Sequence, residues 1–175
     1  MSQEALLNRE NIENQLRDLG LHKGACVEVH SSLSRIGHVE DGATTVVEAL
    51  INVVGTSGAI VMSAYLVSPP LPVTDEERTN GIAWKVRLLS EGSPEKTAMG
   101  AISDSFRDRN DVVLGSGLHR VCAWGRDAEV HSKGYRHLVD IGGLVLLIGV
   151  DIDRCSSLHL SDRVELTEKA LTKMN

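Results

Sequence analysis

His30, Ser31, Ser32 and Ser34 crowd into one short turn around Leu33, and Asp41, Gly42, Ala43, Thr44 and Thr45 open a helical pattern a few positions later. Hydroxyl groups and the free backbone N–H groups of a helix start suit a phosphate or a thioester oxygen, because both present donors and a positive dipole end. The competing reading is plain capping, in which the Ser and Thr hydroxyls satisfy only the local backbone. Neither Gly-x-x-x-x-Gly-Lys nor Gly-x-Gly-x-x-Gly occurs, so the turn is not one of the common nucleotide loops.

Two histidines stand in patterned surroundings. His119 follows the flexible run Gly115-Ser116-Gly117 and opens an apolar stretch, a place from which a side chain can face a cleft. His159 precedes Asp162 by three positions, so on a helix the two share a face. An imidazole titrates near neutrality, and beside a carboxylate it is a competent general base; most such pairs are ordinary hydrogen-bonded surface groups. A serine nucleophile is disfavoured because no Gly-x-Ser-x-Gly elbow is present. No HExxH and no compact His/Cys cluster occurs, so no metal is expected. Cys26, Cys122 and Cys155 are far apart and odd in number, and read as buried free thiols,.

These groups need elements to hold them. Asn8 caps a first helix with Ile12, Leu16 and Leu19 on one stripe and Gly20 as its stop. A strand over 25–30, interrupted by Glu28, delivers His30 to Ser32 at its carboxyl end. A helix from Gly42 or Ala43 to Val54 buries Val46, Val47, Leu50 and Val54, and a second strand covers 59–62. Strand, helix, strand in that order is a βαβ unit, with parallel neighbours and a site at the strands' carboxyl ends. The stretch 63–96 holds all four prolines and the acidic Asp75, Glu76 and Glu77. It reads as an irregular insertion of the kind that forms substrate loops, with a short helix around 81–89. A helix over 99–107, strands over 112–114 and 119–124, and a helical turn over 127–131 follow. The run 144–150 is the most apolar in the chain and is expected as a central strand buried on both faces. The final helix over 156–174 carries Leu160, Val164 and Leu171 along one stripe.

The expected fold class is therefore α/β, a largely parallel or mixed central sheet with helices on both faces, in a single domain over 1–175. A chain of this length buries about 70% of the surface its unfolded form exposes. The 18 basic and 24 acidic residues leave a formal charge of -6, which disfavours nucleic acid and anionic membranes and tolerates a cationic substrate. Aromatic residues make up 3% of the chain, so the core must come from aliphatic side chains. The amino-terminal residues lack a basic segment followed by an apolar one, and no apolar run reaches membrane-spanning length; a cytoplasmic location is expected.

Three segments together resemble the aminoglycoside 3-N-acetyltransferase family, antibiotic acetyltransferases that use acetyl-coenzyme A. They are Val29-His30-Ser31-Ser32-Leu33-Ser34-Arg35-Ile36-Gly37 with Gly42-Ala43-Thr44-Thr45-Val46; Met99-Gly100-Ala101-Ile102 with Ala123-Trp124-Gly125; and Leu146-Leu147-Ile148-Gly149-Val150 with Ser156-Ser157-Leu158-His159-Leu160. The resemblance implies acetyl transfer from acetyl-coenzyme A, as substrate and without a metal, to a small amine, with an aminoglycoside as the candidate acceptor and a homodimer as the candidate assembly. It implies that His30, Ser31, Ser32, Leu33 and Ser34 with Gly42, Ala43 and Thr45 hold the coenzyme, and that His119 is the general base. Asp162 stands at the acidic position after the Leu-His-Leu motif, where the family usually has Glu. Ser116-Gly117-Leu118 replaces the family's His-Pro-Thr, and Ser63-Ala64 replaces its Pro-Thr. Family members continue beyond the Leu-His-Leu helix, whereas this chain stops at Asn175. The alternative is therefore a catalytically inactive shortened relative serving as a coenzyme A-binding or protein-interaction module.

Overall fold

Strict alternation shapes the first strand, β1 (Cys26–Ser31): Val27 and Val29 enter one apolar cluster and Cys26 enters another on the opposite face,. Glu28 therefore does not interrupt the strand. It lies on the second face with His30, and both are buried. The computed structural model describes residues 6–117 and 119–163, with side chains through 160.

Helix α1 (Arg9–Asp18) begins at Asn8, whose side chain and that of Asn11 cap each other's backbone N–H groups,. Ile12 and Leu16 are buried as expected, but the helix ends before Leu19, which is exposed. Helix α2 (Ala43–Val54) places Val46, Val47, Leu50 and Val54 in the core, and β2 (Ala59–Ser63) is buried along its whole length. β1 and β2 pair in parallel, which is the expected βαβ unit.

Helices α3 (Asp75–Thr79) and α4 (Ala101–Arg107) follow, then strands β3 (Val113–Leu114) and β4 (Val121–Gly125), helices α5 (Ala128–His131) and α6 (Arg136–Asp140), and strand β5 (Leu144–Ile148). The sheet order is β3-β4-β2-β1-β5, with β5 parallel to β1 and with β4 antiparallel to both β2 and β3. Helices α1, α2 and α4 cover one face, while α5, α6 and the final 3-10 helix (Ser156–Arg163) lie towards the other. This is the mixed α/β sheet with helices on both faces that the pattern implies. No helix among the described residues is long and apolar enough to cross a membrane.

Four local expectations are corrected. The apolar run at 144–148 is the outermost strand beside β1, with Leu144 and Val145 exposed, because hydrophobicity reports a preference for burial and not a place in the sheet,. No helix forms over 81–89: the Thr74/Glu77 capping box starts a helix earlier, and the later stretch instead bonds to 66–71 through Leu89 N to Leu66 O, Arg87 O to Ser68 N and Lys85 O to Leu71 N. β4 starts at Val121, which leaves His119 in the preceding turn. The last segment is 3-10 where described, and Val164, Leu171 and Met174 lie outside the described residues.

His131 on α5 is fully buried, and neither ring nitrogen has a partner among the described residues. Burial holds its pKa below the ordinary histidine value, and the neighbouring His137 adds to this. The folded state thus resists a proton that the unfolded chain accepts near pH 6.5, so stability present above that value falls as the pH drops through it. The urea midpoint should decrease between about pH 7.5 and about pH 5.5, and His131→Leu should flatten that dependence. Equal slopes for the two proteins would remove His131 as the cause.

Candidate active site

The carboxyl ends of β1, β2 and β5 converge on one cavity of about 970 Å³. Its wall begins with His30 and Ser31 at the end of β1, continues through Ser32, the 3-10 turn Leu33–Arg35 and His38, and reaches Gly42 at the start of α2. Gly42 has φ 62° and α2 has no side-chain cap, so the first-turn N–H groups of α2 stay available at the cavity rim. Gly149, just after β5, lets the turn close over the strand: a Cβ there would meet Arg35 Cβ at 2.9 Å and the Ser32 carbonyl at 3.1 Å. Its φ of 66° also favours glycine,.

The floor is polar and bonded. Glu28 Oε1 lies 2.5 Å from His30 Nε2 and accepts the Ser157 N–H at 3.1 Å. The Ser156 N–H donates to His30 Nε2 at 3.3 Å, and the Ser156 hydroxyl pairs with that of Ser63 at 3.0 Å. Ser63 in turn meets the Tyr135 hydroxyl at 2.8 Å. Burial pushes the Tyr135 phenol well above its ordinary pKa, against the pull of the Ser63 hydrogen bond; it remains a neutral hydrogen-bonding group. Cys155 closes the floor. All three cysteines are buried and free, as expected, and burial pushes the Cys122 thiol up to about 12, which makes it inert.

Of the residues expected to hold a coenzyme, His30, Ser31, Ser32, Leu33, Ser34 and Gly42 all line this cavity. Ala43 and Thr45 lie in the first turn of α2, half-buried, and are not among the lining residues. His119 is exposed and lines a separate hollow of about 310 Å³. Its ring meets Tyr65 edge-on with centroids 5.1 Å apart, and Tyr65 lines the larger cavity. His159 lines that cavity too. Asp162 belongs to the same 3-10 helix, but its side chain lies outside the described residues.

The sequence pattern does not flag Glu28, Ser63, Tyr65, Tyr135 or Cys155 as parts of the site. The period-2 alternation of β1 is a signal that could have found Glu28, since it shares a face with His30; nothing in the linear pattern ties Cys155 to them. Arg35 lines the cavity, is exposed, and makes no ion pair among the described residues. That is the group a phosphate would meet.

Residues 29–175 match the sequence model of the aminoglycoside 3-N-acetyltransferase family. The SPbeta prophage-derived aminoglycoside N(3')-acetyltransferase-like protein YokD of Bacillus subtilis is 32% identical over 88% of this chain and 64% of its own length. The crystal structure of YokD protein from Bacillus subtilis superposes with a TM-score of 0.71 at 31% identity, covering 93% of this chain and 68% of that one. AAC-IIIb, solved as a binary complex with CoASH, shares the fold at a TM-score of 0.69 and 24% identity, over 89% of this chain and 64% of that one. The chain thus spans about 64% of the length of the prophage-derived relative.

Proposed function

The chain belongs to the aminoglycoside 3-N-acetyltransferase family, and from that premise we propose that it is an acetyl-coenzyme A-dependent N-acetyltransferase that acts on an amine, with an aminoglycoside as the candidate acceptor. The observation that carries the reading is the cavity over the hydroxyl turn: six of the sequence-expected coenzyme residues line one continuous wall that ends at the open start of α2. A protein of the same fold has been solved with CoASH. In this reading the single domain over 1–175 holds the pantetheine arm against His30 to Ser34 and Gly42, with Ala43 and Thr45 supporting the helix start. Arg35 takes a phosphate.

An amine attacks a thioester only in its neutral form. His119 removes the proton from an amine that enters beside Tyr65, and Asp162 is the second catalytic residue of this reading. N–H and hydroxyl donors of the turn stabilise the oxyanion as the carbonyl becomes tetrahedral, and its collapse expels the coenzyme thiolate. The net acidic chain suits a polycationic acceptor through charge complementarity,.

Calorimetry with acetyl-coenzyme A should show binding, and a panel of amines should release free thiol in its presence. Arg35→Ala should weaken the coenzyme by a few-fold, since exposed ion pairs contribute up to about 1 kcal/mol. An absence of coenzyme binding at millimolar concentration would overturn both the cofactor and the enzyme assignment.

A further inference from the structure

We propose that Glu28, His30 and Cys155 form a binding site for a zinc-type divalent cation in the floor of the cavity, with a fourth coordination position open to the cavity. The residues come from distant parts of the chain. Alternation along β1 puts Glu28 and His30 on one face, and the 3-10 turn Ile152–Arg154 after β5 brings Cys155 over them. One ligand atom from each lies within 4.8 Å of the other two. Residue exposures are 0% for Glu28, 9% for His30 and 5% for Cys155.

Three features point to a cation. First, a nitrogen, a thiol sulfur and a carboxylate oxygen form the mixed donor set that zinc takes, and tetrahedral bonds of about 2.0–2.3 Å set ligand atoms roughly 3.3–3.8 Å apart, which lies within the 4.8 Å span of the group and requires Glu28 Oε1 to draw back from His30 Nε2,. The Cys155 Sγ to Glu28 Oε1 distance is 4.0 Å, so small side-chain rotations bring the three onto one centre. Second, Glu28 Oε2 is buried with no partner among the described residues. A carboxylate oxygen taken out of water without a donor is costly, and a bound cation supplies the missing interaction. Third, the Ser156 N–H donates to His30 Nε2. Where Nε2 accepts that bond it also faces the Glu28 carboxylate oxygen 2.5 Å away, lone pair to lone pair, and a proton or a cation between the two relieves that contact,. The Ser157 N–H on Glu28 Oε1 and the Ser157 hydroxyl 3.3 Å from Cys155 Sγ hold the ligands from behind,.

Three protein ligands and a free fourth position make an open site, unlike the closed four-ligand sites that only stabilise a fold. Water or a soft anion such as a thiolate fits that position. The inference is independent of acetyl transfer and is tested without coenzyme or amine.

The full chain is dialysed against chelator and titrated with cobalt(II). A sulfur-to-cobalt charge-transfer band should appear, saturate at one-to-one stoichiometry and vanish on adding zinc. Cys155→Ser should abolish the band, and Glu28→Gln should weaken cobalt binding by roughly tenfold or more. Cys26→Ser, whose thiol lies elsewhere, should keep it. If Cys155→Ser does not fold by circular dichroism, zinc protection of Cys155 from alkylation in the unaltered protein, read by peptide mass mapping, decides instead. A missing thiolate band, a band that survives Cys155→Ser, or alkylation of Cys155 unaffected by zinc overturns the proposal.

Discussion

His119→Ala is expected to lower kcat for amine acetylation by roughly 10²–10⁴-fold, the usual contribution of a positioned general base. Acetyl-coenzyme A affinity should hardly change, because His119 does not line the cavity proposed for the coenzyme. The exposed ring is free to meet an acceptor while its edge-on contact with Tyr65 keeps it at the cavity margin. The acid limb of the kcat/KM profile should also flatten, since it reports protonation of the base. If turnover falls by less than a few-fold, the base is another group. His30→Ala is the informative comparison, because His30 stands inside the cavity with Glu28 behind it.

Phe106→Ala carries the largest expected loss of stability, about 3–5 kcal/mol. Phe106 is the only phenylalanine in the chain and one of the largest side chains that is fully buried. It packs from α4 into the cluster shared with α2 and the sheet, where aliphatic neighbours held by the backbone cannot collapse far enough to fill the void. The loss is a large part of the roughly 5–15 kcal/mol that separates folded from unfolded domains. It should appear as a lower denaturant midpoint with an unchanged slope. A shift worth less than about 1 kcal/mol would mean that α4 relaxes into the space. α4 also anchors the cavity wall through the Ser103 hydroxyl, which donates to the Ser63 carbonyl at 2.8 Å, so coenzyme binding should weaken in the same variant.

Local pattern is enough to read the βαβ unit, because alternation in β1, the apolar stripe of α2 and the glycines around them act within a few residues of one another. It is also enough for the hydroxyl turn that lines the cavity, whose hydroxyls are contiguous. Glu28 reads as an interruption for a physical reason: in a strand buried on both faces, a polar group that belongs to one face breaks the apolar run of the other. Cys155 is invisible as a site residue because only folding brings it to Glu28, 127 positions away. The place of β5 at the sheet margin is equally hidden, since its apolar run says nothing about which strand lies beside it. The helix expected over 81–89 loses to long-range bonds with 66–71 that no short window contains.

β4 runs against β2, so its first residue, Val121, pairs with Ser63, the last residue of β2. After passing through α4 and the edge strand β3, the chain thus comes back to the margin where β2 ended, and the bond from Ala98 N to Val67 O ties the irregular excursion shut near its base. A handle anchored this way can change length at little cost, because closure entropy grows only slowly with loop size. The β1–α2–β2 crossover has no such freedom, as it must traverse the sheet. The excursion is thus one contiguous segment whose length can vary while the β1–α2–β2 unit stays as it is,.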